Sequence, residues 1–222
     1  MYQTTFVASS LLIAGLAHHA HAQEPVNLYT HKQALIAYQE KGEYNTDLSS
    51  KVSAARQYLA LRITENNQKE KKQQLAVVLD IDETTLSNYL FMKEHSFGGT
   101  LKEFDTNLNK HFLPVIKPMQ ALYHFAKQNK VAVFFVTGRR ANVKEATIKN
   151  LKKSGYNHWQ ALYFKPKNYA QSSVIPYKAG IRKQIEEKGY TIVESIGDQE
   201  SDLLGGYTEK TYKLPNPFYY IP

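Results

Sequence analysis

The chain has 222 residues, 42% hydrophobic and 22% charged, which allows one domain with a sizeable core, or a domain plus a small cap, and argues against a disordered chain. It contains no cysteine, which excludes disulfides, thiolate metal sites, cysteine nucleophiles and lipid attachment through cysteine. The formal charge of +8 admits nucleic acid, an anionic membrane surface or a small phosphorylated substrate as partner. No arginine-rich block or basic-aromatic ladder of the kind that tracks a nucleic-acid backbone is present, and Lys69-Glu70-Lys71-Lys72 reads as solvated surface. The 16 tyrosines exceed what a core needs, so some are expected on a binding surface.

Residues 1–22 read as a secretory signal: an apolar stretch from Phe6 to Leu16, then the small-x-small site Ala20-His21-Ala22. The n-region lacks Lys and Arg, but the apolar run is too short to span a bilayer as an uncleaved anchor. His18, His19 and His21 belong with that peptide rather than with a metal site. Export without disulfides fits a periplasmic or secreted protein. From Asn27 to Gln73 the pattern is helical. Leu48, Val52, Ala55, Leu59 and Ile63 recur at helical spacing, with Thr46 or Asp47 as the expected cap.

The apolar run Ala76-Val77-Val78-Leu79 reads as a buried parallel strand that runs into Asp80-Ile81-Asp82-Glu83-Thr84-Thr85. In extended backbone Asp80 and Asp82 share a face, and two carboxylates so close need a cation or a proton between them. An irregular insert over 86–116 follows, with Tyr89, Phe91, His95, Phe97, Phe104 and His111 in no clean period. Inserts after a strand's carboxyl end sit over the ligand-binding edge of an α/β sheet, so this one reads as a lid. Tyr89 and Phe91 either stack on a substrate ring or pack the lid, and the two histidines are assigned to surface or packing roles.

Pro118 opens a helix with Met119, Leu122, Phe125 and Ala126 on its apolar side. Val131 to Val136 reads as a second strand ending in Thr137-Gly138-Arg139-Arg140, followed by a helix from Asn142 to Ser154 that closes at Gly155. Ala161 to Phe164 is a third strand. A helix from Tyr177 to Lys188 and a fourth strand, Tyr190 to Ile196, lead to Gly197-Asp198-Gln199-Glu200-Ser201-Asp202. A short strand near Thr211 to Leu214 and an aromatic tail finish the chain. Alternating strands and helices predict a three-layer α/β/α fold around a parallel central sheet, with the lid and an N-terminal helical extension added to it.

Three strands end in polar clusters, and in an open parallel sheet those ends meet at one edge. Asp80, Asp82, Asp198 and Asp202 with Thr137 and a lysine have the composition of a metal-dependent phosphoryl-transfer site. Oxygen-only ligands suit Mg²⁺. Asp80 would attack phosphorus and Asp82 would move the proton. The Thr137 hydroxyl and the amides of the turn at Gly138 and Arg139 would hold phosphate oxygens, and Lys178, near a helix start, would neutralise charge on the transferring group. A lone Asp-x-Asp is common, and Lys165 and Lys167 compete with Lys178. The order of the pieces, each after an apolar strand, carries the reading.

In LDIDETTLSN, HSFGGTLKEFD, VTGRR, NLKKSGYNHW, YKAGIRKQIEEKGYTIVESIGDQESDLLGG and KLPNPFYYIP the sequence resembles the haloacid dehalogenase (HAD) superfamily, and within it the secreted acid phosphatases of class B and class C type and their plant vegetative-storage relatives. The likeness covers nearly all of 23–222. It implies Asp80 as nucleophile, Asp82 as acid/base, Thr137 as phosphate binder and Lys178 as the motif lysine. It further implies Mg²⁺ held by the Asp80 carboxylate, the Asp82 carbonyl and Asp198, with Asp202 nearby. The expected activity is hydrolysis of phosphate monoesters outside the cytoplasm, at acid pH, with nucleoside monophosphates or aromatic esters as substrates. Some plant relatives have lost the nucleophile and only store nitrogen; Asp80 is intact here. A storage or binding protein on the same scaffold and a phosphotransferase to alcohol acceptors are the alternatives. Expected partners are the small phosphomonoester and, optionally, a second copy of the chain as a homodimer, with no nucleic acid and no stable membrane anchor.

Overall fold

A computed structural model describes residues 24–221, so the expected signal segment 1–22 lies outside the described residues. Five parallel strands, β1 (Gln74–Leu79), β2 (Ala132–Arg140), β3 (Ala161–Lys165), β4 (Tyr190–Gly197) and β5 (Lys210–Lys213), form one sheet in the order β3-β2-β1-β4-β5. β1 is central, with Val78 beside Phe134 on one side and Ser195 on the other. The connections run outward from β1 to β3, then cross back to β4, which makes the β1–β4 boundary the switch point where a ligand crevice opens.

Helices cover both faces. The larger core lies against α1 (Leu28–Glu40), α2 (Glu43–Gln68), α5 (Lys117–Gln128) and α6 (Lys144–Lys153), and includes Val77, Leu79, Val133, Phe135 and Ile196 from the sheet. The smaller core packs Val78, Phe134, Val136 and Ile192 under α7 (Ile175–Glu187). Along α2, Leu48, Val52, Ala55, Leu59 and Ile63 all face inward, as their spacing requires. Burial of each large apolar side chain in that stripe contributes about 1.5–3 kcal/mol before entropy is counted.

Three details differ from the sequence expectation. Thr46 and Asp47 lie inside α2, which starts at Glu43 after Gly42. Gly42 sits at φ 92, so a left-handed link between α1 and α2 replaces a side-chain cap. The Thr46 hydroxyl donates instead to the Gly42 carbonyl at 3.1 Å, and Asp47 accepts from the Tyr38 hydroxyl at 2.7 Å. Second, the insert after β1 holds two helices, α3 (Tyr89–Glu94) and α4 (Leu101–Lys110). α4 opens on a capping box between Thr100 and Glu103, a local signal that does not depend on hydrophobic period. Third, β2 does not turn at Thr137 but continues through Arg140 and pairs it with Lys165 of β3 across a register irregularity.

Candidate active site

β1 delivers Asp80 to the open edge of the sheet, where its N–H donates to the Ile196 carbonyl of β4 at 3.1 Å. The chain then folds into a tight loop. The amides of Thr85 and Leu86 donate to the Ile81 carbonyl at 2.8 and 2.9 Å, the Thr85 hydroxyl donates to the Asp80 carbonyl at 2.5 Å, and Glu83 is held at φ 52. With Ile81 locked into the core, Asp80 and Asp82 are left facing the crevice.

β4 delivers Asp198 beside Asp80, and a single 3₁₀ turn, Glu200–Asp202, brings Asp202 back underneath. A methyl group on Gly197 would meet the Asp202 side chain at 2.2–2.3 Å, so only glycine allows this approach. Carboxylate oxygens of Asp80, Asp198 and Asp202 lie within 4.8 Å of one another. The Lys178 ammonium, from the first turn of α7, donates to Asp80 Oδ1 at 2.9 Å and also to Asp202 Oδ1. Burial alone would lower the Lys178 pKa, but Asp202 and Asp80 raise it overall, so the lysine stays charged.

Asp198 is held by three neutral donors. Its Oδ1 accepts from the Thr84 hydroxyl at 3.0 Å, and its Oδ2 accepts from the side-chain amides of Gln199 at 2.6 Å and Asn216 at 2.7 Å. Burial and the Asp202 charge still push its pKa up to about 6. Asp80 is raised well above the carboxylate range by burial and by Asp202, against the pull of Lys178. Glu83, fully buried, rises to about 8 through burial and the charge of Asp82, and accepts from the Asn88 amide at 2.5 Å and from the Tyr219 hydroxyl at 3.0 Å. A cluster in which acids crowd each other into taking up protons is one that a divalent cation would relieve. The all-oxygen donor set fits a hard cation of the magnesium class.

Asp82 is held from two sides: Arg139 donates to it through Nε at 3.0 Å and Nη2 at 2.6 Å, and Asn88 donates at 2.7 Å. Arg139 Nη1 also donates to the Thr147 hydroxyl at 3.0 Å, so this guanidinium, which lines the crevice, orients Asp82. Thr137 is fully buried and is not among the side chains lining the crevice; its hydroxyl oxygen accepts from the Arg139 N–H at 3.1 Å. Gly138 does line the crevice. The continuation of β2 past Thr137 explains both placements.

The crevice is a cavity of about 510 Å³ above these acids, roofed by Phe91, Phe97 and Phe104 of the insert and walled by Phe218 to Ile221 of the tail. Phe91 reaches it. Tyr89 does not: its hydroxyl donates to Glu40 of α1 at 3.0 Å and its ring packs 5.6 Å from Phe218. Arg140 and Lys165 stand at the rim without a carboxylate partner among the described residues, and the Lys165 pKa is lowered by burial and by the charges of Arg140 and Lys178. A larger cavity of about 750 Å³ opens at the opposite end of the strands, but its lining holds lysines and amides and no acid.

Sequence reasoning did not single out Thr84, Glu83, Asn88, Gln199, Asn216 or Tyr219 as site residues. They act on the acids through hydroxyls, carboxyls and amides, and such contacts leave no period in the sequence. Their one visible signal is adjacency, since Glu83 and Thr84 follow Asp82 and Gln199 follows Asp198.

A family model described as HAD superfamily, subfamily IIIB (acid phosphatase), matches residues 3–222. The chain is 37% identical over 152 residues to a stem 28 kDa glycoprotein of Glycine max, covering 65% of this chain and 59% of that protein. It is 33% identical over 148 residues to acid phosphatase 1 of Solanum lycopersicum, covering 65% of this chain and 58% of that one. The matched stretch thus spans somewhat under two thirds of these relatives. A class C acid phosphatase from Bacillus anthracis shares the fold with a TM-score of 0.67 and 21% identity, over 87% of this chain and 86% of that one.

Proposed function

The chain belongs to the subfamily IIIB acid phosphatases of the HAD superfamily, and from that premise we propose that it is a Mg²⁺-dependent phosphomonoesterase working through an aspartyl-phosphate on Asp80. The observation that carries this reading is the convergence of the Asp80, Asp198 and Asp202 carboxylates within 4.8 Å, with the Lys178 ammonium on two of them.

Asp80, Asp198 and Asp202 would hold the cation, which supplies positive charge to the oxygens of the bound phosphate. Asp80 attacks phosphorus while the bond to the leaving alcohol breaks, and Asp82 gives that alcohol its proton. Water then attacks phosphorus, Asp82 takes its proton back, and phosphate leaves with the Asp80 carboxylate restored. Arg139 and Asn88 keep the Asp82 carboxyl aimed into the crevice during both transfers. Lys178 balances charge on the transferring group without moving. The unpaired Arg140 and Lys165 at the rim favour entry of a dianionic ester.

The apolar roof suits an aromatic leaving group, nucleoside monophosphates among them. Export is the proposed address. No described helix is long and apolar enough to cross a membrane. The test is p-nitrophenyl phosphate hydrolysis with Mg²⁺ and with a chelator, followed by acid quench and mass spectrometry of the protein. Turnover that ignores chelation, or phosphorus on a residue other than Asp80, overturns the reading.

A further inference from the structure

The segment 214–221 leaves β5 and runs back across the edge of the sheet that carries the acids, its Leu214 N–H donating to the Gly197 carbonyl at 2.8 Å. Phe218 anchors it, 7% exposed, with its ring 5.8 Å from Phe97, 5.6 Å from Tyr89 and 5.9 Å from Tyr44. Two of its backbone amides go to side-chain amides. The Phe218 N–H donates to Asn216 Oδ1 at 2.9 Å, and the Ile221 N–H donates to Gln199 Oε1 at 2.9 Å. Each contact decides which way the amide faces, because an oxygen held by an N–H turns the nitrogen to the other side. Both nitrogens then point at the same atom, Asp198 Oδ2, from 2.7 Å and 2.6 Å.

An ionised carboxylate offers about four lone-pair sites. At Asp198 the two amides fill Oδ2 and the Thr84 hydroxyl takes one site on Oδ1, which leaves a single open lone pair. We propose that the 214–221 strap is part of the cation site: through Asn216 and Gln199 it fixes the Asp198 carboxylate so that one oxygen remains free for a divalent cation, and cation binding in turn holds the strap closed. Asn216 is a positioning residue here. The proposal rests on the metal-dependent phosphatase reading, and it adds a coupling between metal affinity and a wall of the substrate crevice, since Phe218 to Ile221 form that wall. Coupling of this kind is reciprocal.

Asn216→Ser is the direct test. Serine can still accept from the Phe218 N–H in a hydroxyl turn but is too short to reach Asp198. Calorimetric titration with Mg²⁺ alone should show affinity reduced by about 10–100-fold, the usual loss when a partner of a metal ligand is removed. Excess Mg²⁺ should restore kcat for p-nitrophenyl phosphate toward the wild-type value, a rescue that general loosening of the fold would not give. Phe218→Leu keeps both amides and weakens only the anchor; it should lower Mg²⁺ affinity by a smaller factor. In the wild-type protein, Mg²⁺ should slow hydrogen exchange at the amides of Phe218 and Ile221. This measurement decides the question even if Asn216→Ser fails to fold in chelator. Unchanged Mg²⁺ affinity in a folded Asn216→Ser, or exchange in the strap that is indifferent to Mg²⁺, overturns the proposal. Wild-type protein that binds no Mg²⁺ at all removes the metal-dependent reading itself, which is a distinguishable result.

Discussion

Two acids, one within β4 and one just past its end, lie four positions apart, are buried equally deeply and are treated in opposite ways. Asp198, at the strand's tip, is 1% exposed and accepts from Thr84, Gln199 and Asn216. Glu194, in the body of the strand, is 0% exposed, and neither of its carboxyl oxygens has a hydrogen-bond partner among the described residues. Its register partner on β1 is Val77, so it faces the larger core. Burial pushes its pKa up to about 8, with only Lys210 on β5 pulling the other way. The contrast teaches that depth alone does not make a site. An acid meant to carry charge is supplied with donors, while an acid left bare in a core stays protonated.

The largest expected effect comes from removing the charge at the supplied end. Asp80→Asn keeps the volume and an acceptor for Lys178, so thermal unfolding should change little, while p-nitrophenyl phosphate turnover falls on the order of 10⁴-fold or more. Retained turnover would remove Asp80 from the nucleophile role. Next is Lys178→Met, which leaves Asp80 and Asp202 facing each other without their bridging ammonium. Turnover should fall on the order of 10²–10³-fold. Stability in chelator should fall by about 3–5 kcal/mol, the cost of breaking a buried ion pair, and added Mg²⁺ should restore part of it. A loss that Mg²⁺ leaves untouched would mean that no cation sits between these acids.

How much of this was readable in the sequence follows the same division. The strands, their parallel sheet and the convergence of Asp80, Asp198, Asp202 and Lys178 were legible, because apolar runs ending in acids have a linear signature. Arg139 was legible as a site residue and does line the crevice, but its grip on Asp82 was not legible, since only the extension of β2 shows that it turns back onto that acid. Tyr89 was misplaced because an aromatic in an insert can face the lid's cavity or the helix behind it, and Glu40 of α1 decides for the latter. The amide donors on Asp198 were invisible, as they come from residues 18 positions apart or from a neighbour with no marked spacing.

A backbone change sharpens the comparison further. Gly197 ends β4, between Glu194 and Asp198, and an added Cβ would overlap Asp202 at 2.2–2.3 Å. Gly197→Ala should therefore displace Asp202 while leaving Glu194 and the core beneath it in place. Mg²⁺ affinity should drop by about 10–100-fold, with a smaller change in the unfolding midpoint measured in chelator. Equal damage to both would show that the tip and the body of β4 are not separable.

A final test isolates Glu194 itself. Its carboxyl has a pKa of about 8 in the folded protein against an ordinary 4.5, so between those values the folded state holds one more proton than the unfolded state. Stability is then highest at low pH and is lost as pH rises through that window, by at most about 1.4 kcal/mol per pH unit. Glu194→Gln removes this titration without changing the side chain's size. The stability difference, variant minus wild type, should therefore be flat below about pH 4, grow to about 1–2 kcal/mol near pH 6, and level off above pH 8. Asp80, Glu83 and Asp198 also carry raised values, but they are present in both proteins and cancel in the difference. Urea unfolding across that range in chelator measures it. A difference that does not change with pH would mean Glu194 is ionised in the core, in effective contact with Lys210 or Tyr212, and the distinction between a supplied acid and a bare one on β4 would disappear.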